Sequence, residues 1–141
     1  MKQVKTAFIL AAGRGERLRP LTDVTPKPLL PYRDRPLLDH ILESLSVLKL
    51  ERVVFNAWHL KDQIVRYVEE RRAKAPFEML VSLEDDLLGT GGGLKKALPL
   101  IGTDPFLMLN GDCLWRGDVQ NFCDQALAEE TAASTCSRPT R

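Results

Sequence analysis

Four strand-length runs of almost unbroken apolar character constrain this chain more than any other feature. They lie at residues 7–10, 52–55, 78–81 and 106–109, and none alternates between apolar and polar. A strand with one wet face would alternate, so these runs belong to a sheet covered on both faces, as parallel sheets are. Helical spacing separates them. Leu37, Leu38, Ile41, Leu42, Leu45 and Leu48 form one apolar stripe behind Pro36, a good first-turn residue. Ile64, Val65 and Val68 mark a second helix, whose other face carries Lys61, Asp62, Arg66, Glu69, Glu70, Arg71 and Arg72 as a solvated charge run. Leu94, Ala97 and Leu98 begin a third after a glycine run, with Pro99 near its end, and Phe122, Ala126 and Leu127 mark a fourth. The order β-α-β-α-β-α-β-α predicts an α/β fold: an open, twisted, mostly parallel sheet with helices on both faces. In such sheets ligands bind beyond the carboxyl ends of the strands, so the segments after Leu10, Phe55, Val81 and Leu109 are where function should lie.

The chain's 141 residues suit one domain, and a 44% hydrophobic share supplies a core. With 20 Lys and Arg against 19 Asp and Glu, the balance speaks against a basic nucleic-acid binder and an acidic disordered tail. No apolar run reaches the ~20 residues of a membrane span. The apolar stretch 7–12 is too short and wrongly flanked for a signal peptide. Cys113, Cys123 and Cys136 are odd in number and form no CxxC pair, which argues against a disulfide framework or zinc site and for a reduced, cytoplasmic setting.

The first strand runs into Leu10-Ala11-Ala12-Gly13-Arg14-Gly15-Glu16-Arg17-Leu18. Glycines let backbone N–H groups approach a phosphate. GxxxxGK[ST] is absent, and Leu18 stands where a dinucleotide fingerprint needs its third glycine. Downstream, Pro20, Pro26 and Pro28 are expected to hold an extended, non-helical loop that brings Lys27 over the same phosphate site as Arg17. Two fixed cations beside oriented N–H groups suit a polyphosphate undergoing transfer. After the third strand, Gly89-Thr90-Gly91-Gly92-Gly93 opens a helix with uncovered N–H groups and a flat surface against which a planar base could lie. Glu84, just upstream, is either a carboxylate that accepts protons from a base or an exposed one. Asp112, after Gly111 at the fourth strand's carboxyl end, is placed to meet Mg²⁺ on substrate phosphates. His59 ends the second strand region and is a weaker candidate for the cleft wall.

The run L-A-A-G-x-G-x-R-L-x-P-L-T, followed by P-K-P, resembles the signature of sugar-1-phosphate nucleotidyltransferases. The resemblance implies a Rossmann-like, glycosyltransferase-A-like fold. It implies that Leu10, Ala11, Ala12, Gly13 and Gly15 cradle a nucleoside triphosphate, with Arg17 and Lys27 catalytic on its phosphates. It also makes Thr90, Gly91, Gly92 and Gly93 the base loop, with Glu84 beside it, sets Gly111 near the ribose and makes Asp112 a Mg²⁺ ligand. Asn56-Ala57-Trp58, the LGTGGG run, and Lys95 through Leu100 are most similar to the N-acetylmuramate α-1-phosphate uridylyltransferase branch, which recycles cell-wall amino sugars. Mannose-1-phosphate guanylyltransferases are the nearest rival. The implied partners are a nucleoside triphosphate, UTP favoured, and a sugar 1-phosphate, giving a nucleotide sugar and pyrophosphate. The resemblance covers only the nucleotide-binding half of the family's domain, residues 1–131 here. Residues 132–141 read as a loose or non-native tail, as in a truncated copy. Such a piece would leave a sheet edge uncovered and open to self-association. A non-catalytic nucleotide-binding domain is the competing class.

Overall fold

The computed structural model describes residues 2–129; the tail at 132–141 lies outside them. Four strands, β1 (Thr6–Leu10), β4 (Arg52–Ala57), β5 (Glu78–Leu83) and β6 (Phe106–Asn110), form one sheet in the order β5-β4-β1-β6. All three pairings are parallel. A hairpin of β2 (Pro31–Tyr32) and β3 (Arg35–Pro36) stands apart. The helices are α1 (Leu21–Val24), α2 (Leu37–Ser44), α3 (Lys61–Arg72), α4 (Gly89–Ile101) and α5 (Val119–Ala128).

The continuous apolar strands are explained by two cores. Ala7, Ile9, Val53, Phe55, Met79 and Leu107 face a cluster shared with Leu38 and Ile41 of α2, Ile64 and Val68 of α3, and Cys123 of α5. Phe8 and Val54, one residue out of step, face the opposite side and meet Ala97 and Ile101 of α4. Period-two side-chain direction with helices on both faces favours apolar residues at successive positions; the buried polar exceptions, Asn56 and Ser82, lie near the strands' carboxyl ends.

The chain leaves β1, adds β4 and β5 on one side, then returns through α4 to place β6 on the other flank of β1. The strand order therefore reverses beside β1, and the crevice at that point opens at the strands' carboxyl ends. Two expectations change. Residues 20–29 are not simply extended: α1 is a short helical turn that starts directly after Pro20, and Lys27–Leu29 is a single 3₁₀ turn, as is Glu16–Leu18 just before the segment. Proline is tolerated there because the first N–H groups of a helix have no internal partner anyway. Likewise α4 begins at Gly89, not Leu94, so the glycines are wound into its first turns.

The charge run on α3 is also not uniformly solvated. Arg71 donates to Asp39 of α2 from Nε at 2.9 Å, and the Tyr67 hydroxyl donates to the same carboxylate at 2.5 Å. Arg71 lies 3.8 Å over the Tyr67 ring. Burial, then the bond to Asp39, pushes the Tyr67 phenol well above its ordinary range. Among the described residues, no helix is long and apolar enough to cross a membrane.

Candidate nucleotide site

A cleft of ≈ 680 Å³ opens at the carboxyl ends of β1, β4 and β6. One wall is the segment Leu10, Ala11, Ala12, Gly13, Arg14, Gly15, Glu16 and Arg17. Facing it are Lys27 and Pro28, with Asn56, Leu87, Gly89, Thr90, Asn110 and Asp112 completing the surface.

The first glycine loop is stiff. Gly15 has φ of 64°, a left-handed conformation that glycine adopts without strain. Its carbonyl accepts from Leu18 N at 3.0 Å and from the Thr22 hydroxyl at 2.7 Å. A Cβ on Gly15 would fall 2.7 Å from Thr22 Cγ2 and 3.2 Å from Lys27 Cβ. The buried Thr22 thus locks the turn that carries Arg17 and packs it against the stem of Lys27. Arg17 sits in the adjoining 3₁₀ turn with its side chain exposed at the cleft.

Lys27 donates to Asp112 Oδ2 at 2.8 Å, across 85 residues of sequence. This contact depends on Gly111. Its N–H donates to the Leu10 carbonyl at 2.8 Å, and a Cβ there would lie 2.6 Å from that oxygen and 3.2 Å from Pro28 Cγ. The close approach turns β6 sharply at its end and sets Asp112 opposite Lys27. Burial pushes the Asp112 carboxyl up, but bonds from the Lys27 ammonium and the Cys113 thiol outweigh it and hold the group below its ordinary value. Cys113 donates to Asp112 Oδ1 at 3.3 Å, and its own pKa is raised, first by burial and then by that carboxylate.

No three His, Cys, Asp or Glu gather into a metal cluster among the described residues. Mg²⁺ fits this donor set only in its substrate-borne form, held by one carboxylate while phosphates and waters fill the other positions. Asp112 is a carboxylate on the cleft wall that would hold it in that form.

Sequence-predicted residues divide cleanly. Leu10, Ala11, Ala12, Gly13, Gly15, Arg17, Lys27, Thr90 and Asp112 share the cleft wall. Gly91, Gly92, Gly93 and Gly111 are not on that wall. Glu84 is neither exposed nor on the wall: it is fully buried, accepting from Asn56 Nδ2 at 2.9 Å and from Leu88 N at 3.2 Å. His59 turns away, its Nε2 bonded to the Thr22 carbonyl at 2.6 Å. Sequence reasoning gave Arg14 no role and named Asn56 only as part of the second strand's end. Arg14 lines the cleft with its guanidinium 4.8 Å over the Trp58 ring. Asn56 is buried at the end of β4 with its Oδ1 accepting from Ala11 N at 2.6 Å. A lone amide closing a continuous apolar strand was the available signal for Asn56.

The sequence model of the family described as "Nucleotidyl transferase" matches residues 6–140. The chain belongs to that family. This nucleotidyl transferase chain is 38% identical over 113 residues to the N-acetylmuramate alpha-1-phosphate uridylyltransferase of Caulobacter vibrioides, covering 79% of itself and 47% of that protein. It is 42% identical over 111 residues to the enzyme of the same name from Neisseria meningitidis serogroup B, covering 77% of itself and 47% of the relative. The chain therefore spans about half the length of these curated relatives. The crystal structure of HddC from Yersinia pseudotuberculosis complexed with GMP-PN superposes with a TM-score of 0.77 at 27% identity, covering 88% of this chain and 55% of that one.

Proposed function

We propose that this chain is the nucleotide-handling part of a sugar-1-phosphate uridylyltransferase. A phosphate oxygen of the sugar 1-phosphate attacks the α-phosphorus of UTP in line; the bond to the β-phosphate oxygen breaks, and pyrophosphate leaves with that electron pair. The carrying observation is the convergence of Arg17, Lys27 and Asp112 on one cleft around the Gly13–Gly15 loop.

The main chain from Ala12 to Gly15 offers N–H groups to the triphosphate. Arg17 and Lys27 stabilise the charge that spreads over non-bridging oxygens during transfer. Lys27 reaches these oxygens by exchanging its bond to Asp112 for phosphate. Mg²⁺ held by Asp112 and the phosphates would neutralise charge on the departing pyrophosphate. Thr90, with Gly91 and Gly92 of the first turn of α4, receives the base, while Gly93 packs on the buried Asn56 and Glu84 behind it; Gly111 lies toward the ribose. The identity to two N-acetylmuramate alpha-1-phosphate uridylyltransferases supports UTP and an amino-sugar phosphate of cell-wall recycling. The second reading is a mannose-1-phosphate guanylyltransferase-like preference for GTP, which has support from the neighbour solved with GMP-PN.

Calorimetric titration with Mg·UTP, Mg·GTP and Mg·ATP tests the base; pyrophosphate release with N-acetylmuramate 1-phosphate or mannose 1-phosphate tests the reaction. Tightest binding of UTP is expected. Equal affinities for all three would remove the base-loop assignment, and nucleotide binding without turnover would favour a non-catalytic binding domain.

A further inference from the structure

Arg17 and Lys27 stand on either side of α1, a single helical turn with little of its own to hold it. A helix of 4 residues does not sustain itself. Leu21 is 59% exposed and Val24 71%, and within α1 only Thr22 is buried. The turn is closed by Asp23 N–H donating to the Pro20 carbonyl at 3.1 Å and Thr25 N–H donating to the Leu21 carbonyl at 3.3 Å. The carbonyls of Thr22 and Val24 are then left over. In a helix they would accept from the N–H groups four residues on, but those positions are Pro26 and Pro28, which have none.

The loop after β4 and the start of α3 supply both missing donors. His59 Nε2 lies 2.6 Å from the Thr22 carbonyl, and Gln63 Nε2 donates to the Val24 carbonyl at 2.7 Å. A carbonyl only accepts, so the proton of this bond is on His59 Nε2. Between the two donors, Leu60 has φ of 50°. That left-handed conformation is costly for a residue with a Cβ and persists where surrounding contacts fix it. The anchored residue is also the one that locks the phosphate loop. Thr22 Oγ1 donates to the Gly15 carbonyl at 2.7 Å, and its Cγ2 fills the space beside Gly15 that the stem of Lys27 also borders. Neither His59 nor Gln63 is on the cleft wall.

We propose that His59 and Gln63 are positioning residues for nucleotidyl transfer. They replace the N–H groups that Pro26 and Pro28 lack, hold α1 in place, and so fix the spacing of Arg17 and Lys27 across the triphosphate. They act through α1 and touch no ligand. This rests on the nucleotide-binding reading above.

Three variants separate the donor from the shape of the side chain. His59→Phe keeps a ring and removes the donor, His59→Gln returns an N–H at similar reach, and Gln63→Met keeps an unbranched stem without a donor. The measurements are amide exchange at Asp23 and Thr25 and calorimetric affinities for Mg·UTP and inorganic tripolyphosphate, with and without Lys27→Ala, and melting temperature checks folding. His59→Phe and Gln63→Met should each speed exchange at both amides. Each should weaken both ligands by a common factor of about 3- to 10-fold, the worth of one hydrogen bond. His59→Gln should recover most of the protection and the affinity. Beside Lys27→Ala the same changes should cost less affinity, because one of the two cations they place is gone. Fully additive losses in that background would make the two residues merely structural and overturn the proposal. Loss of UTP affinity with tripolyphosphate binding intact would mean a contact with the nucleoside, and overturns it too. So does faster exchange at α1 without any loss of affinity. If His59→Phe does not fold, Gln63→Met and His59→Gln carry the test on the same criteria. A wild-type chain that binds neither ligand sinks the nucleotide reading and this proposal with it; a wild-type chain that binds Mg·UTP no better than its His59→Phe and Gln63→Met variants overturns this proposal alone.

Discussion

The two glycine runs look alike in sequence and do opposite things in the fold. Gly13-Arg14-Gly15 stays out of regular helix, with a left-handed Gly15 holding a turn around Thr22 and Lys27. Gly89 to Gly93 is wound into α4, and Gly93 is small because a buried amide and carboxylate lie beneath it. The first run shapes the cleft wall; the second makes room for a polar pair inside that wall. A glycine cluster by itself therefore signals absent side chains, and only its neighbours show whether the space serves a ligand or a packing contact.

The largest effect should come from the first run's cation. Lys27→Ala removes a charged group from the cleft. Its side chain is 31% exposed, so its pair with Asp112 contributes little to folding. Affinity for Mg·UTP should fall about 10- to 100-fold by calorimetry, the range of a charged hydrogen bond. Melting should barely move. A large drop in melting temperature with intact affinity would make the pair structural and reverse the contrast.

Next comes the second run. Gly93→Ala should destabilise by about 1–3 kcal/mol in urea unfolding, because the new methyl overlaps buried polar atoms that cannot give way cheaply. A change within 0.5 kcal/mol of zero, on the order of a surface substitution, would show that the α4 backbone can shift off the Asn56–Glu84 pair.

A baseline far from both runs is the Tyr67–Asp39 contact. The folded-state pKa of Tyr67 is raised above its unfolded value, so its contribution is complete below the unfolded phenol pKa of about 10 and declines as pH rises past it. The urea midpoint should drop between pH 9 and pH 11, and Tyr67→Phe should drop less over that interval. Equal slopes would discount the contact.

The smallest effect should be a gain. A Cβ at Gly91 meets nothing within 4 Å, so Gly91→Ala should stabilise by about 0.5–1 kcal/mol through helix propensity alone. If this turn receives the base, the same methyl should weaken Mg·UTP binding. Stabilisation with unchanged affinity would shift the base toward Thr90 and Leu87.

Local patterns carried much of this. Continuous apolar runs disclosed all four sheet strands, because helices on both faces bury the central strands β1 and β4 and cover much of the outer two. Strand ends pointed to the cleft, and Arg17, Lys27 and Asp112 were all nominated from their positions in the chain. The β2–β3 hairpin escaped notice because two-residue strands have no period to read. The short helix after Pro20 escaped because three prolines in a row of motifs suggest extended chain, although the first helical turn accepts proline. Glu84 was misjudged because an acidic residue before a glycine run reads as surface until its partners are known.

What the sequence by itself determined is the class of sheet, the number of its strands and the segments that reach its functional edge. These follow from hydrophobic period and from turn chemistry, both local quantities. Tertiary structure alone decided which strands adjoin which, and with that every long-range pair: Lys27 with Asp112, and Ala11 with Asn56 and Glu84. The reason is that a polar side chain's role depends on its partner. A carboxylate is a ligand-facing charge or a buried acceptor according to what the neighbouring strand end presents, and that neighbour is fixed by the order β5-β4-β1-β6, not by any spacing along the chain.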